Sequence, residues 1–265
     1  MRVIRKDQQQ VLQAHLYILN NTDDVLPFLN EHKMLLKSVN PRAKKWLLNE
    51  HNKAFLKWFK EKIGERAYDV EHFKCLARGP NFAVITWSGY DINKFSFYTN
   101  IKDQKSTMQN SGVTLEVELM HFASSKDNNH VMATISYYEV IEEIWEVDYV
   151  KFRVPVFKCK WVDSNTGVHV DDLGFTLVDL AKIGYKENPF IMAYQAKQVF
   201  YVKDPSNERW SVLIQGKNEP DVDNRGRFIS SSYTLRWVQP KVFLFLIEPI
   251  KFVVDLFHEL TSMKL

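Results

Sequence analysis

The chain has 265 residues, of which 45% are hydrophobic and 25% are charged, and its formal net charge is +3. This length is sufficient for one or two domains with a hydrophobic core of their own. The composition excludes a disordered chain, and a total of nine glycines excludes a collagen-like one. Composition alone therefore indicates a folded protein and names no function.

The charge is distributed unevenly along the chain. Residues 1–65 hold 12 lysines and arginines against 7 acidic residues, whereas residues 111–150 hold 1 against 8. Neither region has the dense clustering of basic residues that is typical of an autonomous nucleic-acid binder. Solvated faces explain this pattern most simply, and a contact with nucleic acid or an acidic partner is the alternative.

The cysteines and the N-terminal residues favour an intracellular protein that is not secreted. Cys75 and Cys159 stand alone, so we expect two reduced thiols rather than a disulfide framework or a zinc site. Residues 1–10 lack the apolar core of a signal peptide. The apolar run at 242–247 is far shorter than the roughly 20 residues of a membrane span, so we expect no membrane contact.

The first 80 residues are predicted to be helical. One of the two aspartates at positions 23 and 24 is expected to cap a first helix. A second helix is predicted to begin at Asn40-Pro41 and to stop at Gly64, because Asn and Pro favour helix starts and Gly favours helix ends. A third, short helix is predicted to end at Gly79-Pro80.

The second of these helices is predicted to carry a basic exposed side. Its apolar residues recur at about four-residue intervals, and lysines occupy many of the other positions. A solubilising face is the default interpretation, and contact with DNA or an acidic partner is the alternative. The candidates for such a contact are Lys44, Lys45, Lys53 and Lys57.

After residue 80 the hydrophobic period changes to two, which is typical of β-strands. Residues 113–119, 145–149, 157–161 and 210–214 alternate between apolar and polar side chains. The segments at 145–149 and 157–161 are expected to pair antiparallel. In that arrangement Glu146 and Asp148 would face Lys158 and Lys160, and the tryptophans at 145 and 161 would share the core-facing side.

These patterns together predict an α+β fold. A helical N-terminal segment at 1–80 is followed by a mainly antiparallel β-rich domain at 81–217, which is a small barrel or a bent sheet. Residues 218–265 are interpreted as a divergent C-terminal extension.

The sequence contains no recognisable catalytic motif, such as a nucleophile elbow, a Walker loop or GxGxxG. Carboxylates at 139–148 and at Asp171 and Asp172 could hold Mg²⁺ in a two-metal nuclease, but their alternation favours a polar sheet face. His32 and His51 occupy similar tetrapeptides without the spacing of a zinc motif, so we expect them on the surface or at helix caps. We therefore predict no enzyme activity, no cofactor and no metal site.

Tyr137 and Tyr138 are further candidates for contact with a partner. Together with Trp87 and Trp161 they could form an aromatic cage or a stacking platform. The alternative is that these aromatic side chains belong to the hydrophobic core.

Five segments carry a resemblance to a known family: MQNSGV at 108–113, VIEEIWE at 140–146, VPVFKCKWVD at 154–163, GFTLVDL at 174–180 and QAKQVFY at 195–201. They are similar to an uncharacterised domain of plant proteins associated with CACTA (En/Spm-type) transposons. The run WLLNEHN at 46–52, with WFK at 58–60, resembles the tail of the transposase-associated domain that usually lies upstream. The resemblance covers roughly residues 15–217.

This resemblance implies a transposon-derived plant protein of the nucleus, but it brings no established activity and no catalytic residues. The segment IEEIWE, followed by a Val- and Phe-rich strand, is also similar to bromo-adjacent homology domains, which bind chromatin or other proteins. The leading hypothesis is a non-catalytic accessory or binding module for nucleic acid, chromatin or a transposase partner. A degenerate transposon fragment without activity and a metal-dependent nuclease are the alternatives.

Overall fold

The computed structural model describes residues 1–40, 44–65, 70–122, 130–185 and 188–216. Helices dominate its first 80 residues and an antiparallel sheet dominates the rest, which confirms the predicted α+β class. The predicted extension at 218–265 lies outside the described residues.

The described helices are α1 (Gln8–Asn20), α2 (Leu26–Val39), α3 (Lys44–Glu65), α4 (Glu71–Arg78) and α5 (Asn100–Asp103). The described strands are β1 (Arg2–Arg5), β2 (Ala83–Trp87), β3 (Gly89–Ile92), β4 (Phe95–Tyr98), β5 (Gly112–Phe122), β6 (His130–Asp148), β7 (Arg153–Trp161), β8 (Val168–Val170), β9 (Thr176–Val178), β10 (Phe190–Met192), β11 (Lys197–Lys203) and β12 (Ser211–Gln215).

The helix starts differ from those predicted. Asp7 caps α1, because its side chain accepts hydrogen bonds from the N–H groups of Gln9 and Gln10 at 3.0 and 3.3 Å. Asp23 and Asp24 instead form a 3₁₀ turn before α2, which begins without a side-chain cap, so the predicted cap was wrong. Helix α1 lies within the 80 residues predicted to be helical, although no helix was delimited at 8–20, and strand β1 was not predicted.

Helices α3 and α4 lie close to their predicted positions. The described part of α3 begins at Lys44, while the predicted start at Pro41 lies outside the described residues. Gly64 does not stop α3, which continues to Glu65. Gly79 does end α4, as predicted, because its φ of +86° lies in the left-handed region that favours glycine.

The main sheet is built from antiparallel pairs in the order β1-β2-β6-β5-β11-β12-β9-β8, with β7 joining β6 to β10 as a branch. The long strand β6 organises this sheet. Its first half pairs with β5, its second half pairs with β7, and β2 takes the place of β5 opposite residues 144–146. The described strands therefore form a branched sheet, and β3 and β4 form a separate hairpin.

Strands β6 and β7 pair antiparallel, as predicted, but their register differs from the prediction. Lys158 lies opposite Glu143, so it faces neither Glu146 nor Asp148. Lys160 likewise has no acidic residue opposite it. The short connection at 149–152 causes the difference, because it places Asp148 opposite Arg153 and so fixes which side chains meet further along the pair.

Both faces of the β6–β7 pair are buried, which places Trp145 and Trp161 in different cores. Trp145 belongs to the helix–sheet core, a cluster that includes Ile18, Leu29, Phe55, Leu76 and Phe190. Trp161 belongs to the sheet core, a cluster that includes Phe97, Leu115, Tyr137, Ile144, Phe157 and Cys159. The expectation that the two tryptophans share one side was therefore wrong. Helices α1 to α4 pack on the Trp145 side of the pair, so that side is covered as well.

Candidate functional site

Helix α3 presents a row of lysines to solvent. Its opposite side is buried at His51, Phe55, Phe59 and Ile63, which recur every four residues and pack in the helical region with α2 and α4. This packing fixes the rotation of the helix, so the remaining side must face outward. The exposed lysines of that side are Lys45, Lys53, Lys57 and Lys60, while the side chain of Lys44 lies outside the described residues.

Few acidic groups offset this positive charge. Lys57 Nζ lies 4.0 Å from Glu61 Oε1, and both side chains are largely exposed. Within the described ranges, no ion pair involves Lys45, Lys53 or Lys60. Because an exposed pair at this distance contributes little, the face remains cationic and can attract a polyanion.

Trp46 adds an aromatic side chain to the same face. It is exposed over 36% of its surface and precedes Lys53 by seven residues, or two helical turns. An exposed ring beside lysines suits the bases and phosphates of a nucleic acid. The sequence pattern alone did not single out Trp46, because its exposure depends on how α3 rotates against α2.

Tyr137 and Tyr138, the aromatic candidates for contact with a partner, lie in the hydrophobic core, which was the other interpretation of the sequence. Both are buried, with 1% and 9% of their surfaces exposed, so they form no stacking platform at the surface. Adjacent residues on a strand point to opposite faces. Tyr137 accordingly lies in the sheet core, whereas Tyr138 packs with Val199 and Tyr201 on the other side of β6.

The carboxylates that suggested a nuclease are dispersed. Glu143 accepts hydrogen bonds from Lys6, from Lys158 at 3.1 Å and from the Trp145 indole at 3.0 Å. Burial tends to raise the pKa of Glu143, but these donors outweigh it and leave the pKa lowered. Asp171 accepts from two backbone N–H groups of the β8–β9 turn. The described residues contain no group of three or more His, Cys, Asp or Glu side chains placed to hold a metal ion.

His32 and His51 are buried and in contact, which contradicts the predicted surface or capping role. Their Nδ1 atoms lie 2.8 Å apart between α2 and α3, and the His51 ring stacks on Phe55. Burial lowers the pKa of His51 to about 3, with smaller contributions from Lys33 and His32, and burial also lowers the pKa of His32. Neutral imidazoles can share a hydrogen bond at this distance, so the pair joins the two helices.

Glu139 lies in the sheet core with no exposed surface. Within the described part of the chain, no N–H or O–H group donates to either of its carboxylate oxygens. Burial raises the pKa of Glu139 well above its usual range, and the neighbouring Cys159 thiol opposes that rise only weakly. Nothing in the alternation of β6 distinguished Glu139 from its solvent-facing neighbours, because only the tertiary fold covers this face.

Three aromatic rings meet next to Glu139. The ring centroids of Tyr137 and Trp161 lie 5.9 Å apart, and those of Tyr185 lie 5.8 and 6.2 Å from them. A backbone hydrogen bond holds the loop that contains Tyr185 beside β7, because Gly184 N–H donates to the Trp161 carbonyl at 3.0 Å. Tyr185 has φ of 45°, a left-handed conformation that costs a bulky residue roughly 1–3 kcal/mol.

The fold and these sites define an α+β protein with a basic helical face and a sealed sheet core that contains uncompensated polar groups. Among known families, a domain of unknown function, DUF4216, matches residues 145–213, which span the end of β6 through most of β12. No curated protein and no solved structure matches the chain. Among the described helices, none is long and apolar enough to cross a membrane.

Proposed function

We propose that the chain is a non-catalytic binding module that holds duplex nucleic acid on the exposed face of α3. The observation that carries this proposal is the set of four outward lysines on α3, of which, among the described residues, only Lys57 forms an ion pair, with Glu61. Cationic side chains on one helix face release counterions when they neutralise phosphates, which favours association at low salt. Trp46 adds a stacking surface within the same stripe.

The proposal also includes a biological setting. The five motifs that resemble the CACTA-associated plant domain support a transposon-derived protein of the plant nucleus. Four of these motifs lie within or beside the matched residues 145–213. A protein partner, such as a transposase or a chromatin component, is the competing occupant of the same basic face, because acidic protein surfaces attract lysines as phosphates do.

Fluorescence anisotropy with a labelled DNA duplex at several salt concentrations tests this proposal. We expect binding at ~50 mM salt and a linear fall of log K with log salt, with a slope of about −0.9 for each phosphate contacted. A variant with all four lysines changed to glutamine should lose most of the affinity and flatten the slope. The changes are Lys45→Gln, Lys53→Gln, Lys57→Gln and Lys60→Gln.

A matched control removes the same charge from exposed lysines outside α3. The changes are Lys105→Gln, Lys151→Gln, Lys182→Gln and Lys203→Gln. Equal losses of DNA affinity in the two variants would show that the affinity depends only on net charge. That result would overturn the α3 interface. Absence of binding by the unaltered chain at ~50 mM salt would overturn nucleic-acid binding altogether, since phosphate contacts are strongest there.

The same DNA incubated with Mg²⁺ or Mn²⁺ tests the enzymatic alternative. Cleavage that disappears in the double variant Asp171→Asn, Asp172→Asn would replace the binding module with a metal-dependent nuclease. Intact DNA in the presence of either metal is the result expected for a non-catalytic module.

A further inference from the structure

The apolar stripe of α2 extends beyond the core that it helps to form. Phe28, His32, Leu35 and Val39 follow one another at intervals of three and four residues, so they lie on one side of the helix. Phe28 and His32 are buried, whereas Leu35 is 49% exposed and Val39 is 74% exposed. The last two turns of α2 therefore present apolar side chains that no layer of the described residues covers.

Helix α3 lies beside this exposed end of α2. The two helices are antiparallel, because a phenylalanine ring near the start of α2 meets one near the end of α3 at a centroid distance of 5.3 Å. The contact between His32 and His51 sets the level of the helices. Leu35 lies three residues beyond His32, and Leu48 lies three residues before His51, so both leucines are displaced from that contact in the same direction. Leu48 is only half-buried, and it completes an open apolar side of the α2–α3 hairpin with Leu35 and Val39.

This end of the hairpin is strongly basic. Residues 33–48 contain five lysines and arginines and no acidic residue. A second copy of the chain that packed the same face against this one would bring like charges together, which disfavours a symmetric dimer. The charge and the apolar side together favour an amphipathic segment with a net negative charge.

The chain itself contains a segment of this kind. The described residues end at 216, and 49 residues follow. Residues 249–260 begin with a proline, which favours the first turn of a helix, and their apolar residues recur at intervals of three and four, which predicts an amphipathic helix. Residues 248–260 hold three acidic residues and one lysine. The recurring apolar residues are Ile250, Val253, Phe257 and Leu260.

We propose that residues 249–260 form a helix that packs on the open apolar side of the α2–α3 hairpin. This contact removes the apolar side chains of both partners from water, and the opposite net charges strengthen the attraction. The 32 residues at 217–248 can span about 100 Å when extended, so the segment can reach the hairpin from the end of β12. This inference does not depend on the proposed nucleic-acid interface.

Disulfide trapping in the full-length chain tests this contact. The double variant Leu35→Cys, Val253→Cys should form an intrachain disulfide on oxidation, because packed helices bring the two Cβ atoms within bonding range. The native cysteines are both buried, so they do not compete for the new thiols. Peptide mapping by mass spectrometry identifies the bond, and its rate of formation is the measured quantity.

The matched control is the double variant Val202→Cys, Val253→Cys. Val202 is 48% exposed, almost the same as Leu35, so neither change removes core packing. It lies on β11 beside β12, from which the chain continues, so random collisions favour the control pair. The Leu35 pair should nevertheless form its disulfide at least about tenfold faster, because a packed pair exceeds the millimolar effective concentration of a flexible tether.

A third variant and the salt dependence test the orientation and the charge of the contact. Leu35→Cys, Lys251→Cys places the second thiol on the side of the segment opposite Val253, so it should react as slowly as the control. The rate for the Leu35 and Val253 pair should fall roughly two- to threefold between low and high salt, because salt screens the opposite charges. The control rate should not change with salt.

Three outcomes would overturn the proposal. The first is an equal rate for the Leu35 pair and the Val202 control, and the second is an equal rate for the variants with cysteine at positions 251 and 253. The third is a disulfide-linked dimer in place of the intrachain bond, which would assign the open side of the hairpin to a second copy of the chain.

Discussion

Glu143 and Glu139 lie four residues apart on β6, yet the Glu143 carboxylate is surrounded by donors, whereas no N–H or O–H group of the described residues donates to the Glu139 carboxylate. Glu143 accepts hydrogen bonds from two lysines and an indole, and these donors leave its pKa lowered. Glu139 is sealed in the sheet core, and burial raises its pKa well above the usual range. The same side chain thus favours its ionised form at one position and its protonated form at the other.

The difference arises from the shift in register between the two positions. After residue 141 the strand changes register against β7, which brings Glu143 opposite Lys158. Lys6, which follows the edge strand β1, supplies the second lysine from 137 residues away. Glu139 lies before the shift, opposite Trp161, where the neighbouring strands contribute apolar side chains. Tertiary contacts, rather than the local sequence, therefore decide how each carboxylate behaves.

Glu139→Gln is expected to give the largest effect, and one that depends on pH. Above the ordinary pKa of about 4.3, the unfolded state releases a proton that folded Glu139 retains, so the stability of the unaltered chain falls by up to about 1.4 kcal/mol per pH unit. Glutamine cannot ionise. Urea unfolding should therefore show similar stabilities near pH 4 and a growing advantage of the variant toward pH 8. Parallel stability profiles would show that Glu139 is ionised in the folded state.

The buried histidine pair should make the helical region sensitive to acid. Burial lowers the pKa of His51 to about 3, so between the ordinary value of about 6.5 and pH 3 the unfolded state binds a proton that the folded state does not. Stability is therefore lost as the pH falls, by about 2 kcal/mol between pH 6.5 and 5. His51→Phe should flatten this loss in acid-unfolding curves. His169→Phe, at an exposed position on β8, is the control, and an equal flattening there would contradict the assignment.

Glu143→Gln should destabilise the protein at neutral pH, opposite in sign to Glu139→Gln. A carboxylate with a lowered pKa stabilises the fold above its unfolded pKa, and this contribution is lost as the pH falls through the folded value. Because the group is about one-third exposed, we expect a loss of about 1–2 kcal/mol at pH 7, less than for a fully buried pair. Glu142→Gln alters the exposed neighbour and should leave the urea midpoint almost unchanged.

Lys57→Gln is expected to have the smallest effect on stability. The exposed 4.0 Å pair with Glu61 contributes about 0.3–0.5 kcal/mol, and salt screens it further. Thermal unfolding at low and high salt measures this contribution. A larger loss of stability would mean that the exposed lysines of α3 stabilise the fold. It would weaken the proposal that these lysines bind a ligand.

Much of the architecture could be predicted from the sequence. The change of period near residue 80 separated helices from strands, and the alternation at 113–119, 145–149 and 157–161 located parts of β5, β6 and β7. Gly79 marked the end of α4. The same patterns missed β1 and did not delimit α1 within the helical segment. They also gave the wrong partners for the β6 carboxylates, because alternation does not show how closely the connection at 149–152 folds back, and this connection sets the register.

The candidate sites were less predictable. The lysines of α3 were identified from spacing, since a helix face follows directly from a period near four. A position in the hydrophobic core was one of the two interpretations that the sequence allowed for Tyr137 and Trp161, whereas Tyr185 gave no signal because it lies in a loop outside any periodic segment. The pairing of His32 with His51 depends on how α2 packs against α3.

The sequence by itself determined the α+β class, the antiparallel pairing of β6 with β7 and the basic side of α3. Each of these follows from local periodicity, which acts over a few residues. Only the tertiary structure decided which carboxylate is paired, which histidines meet and which rings converge. These features join residues that are distant in the chain, such as Lys6 with Glu143, and they arise when helices cover one face of the sheet while its own strands and loops cover the other.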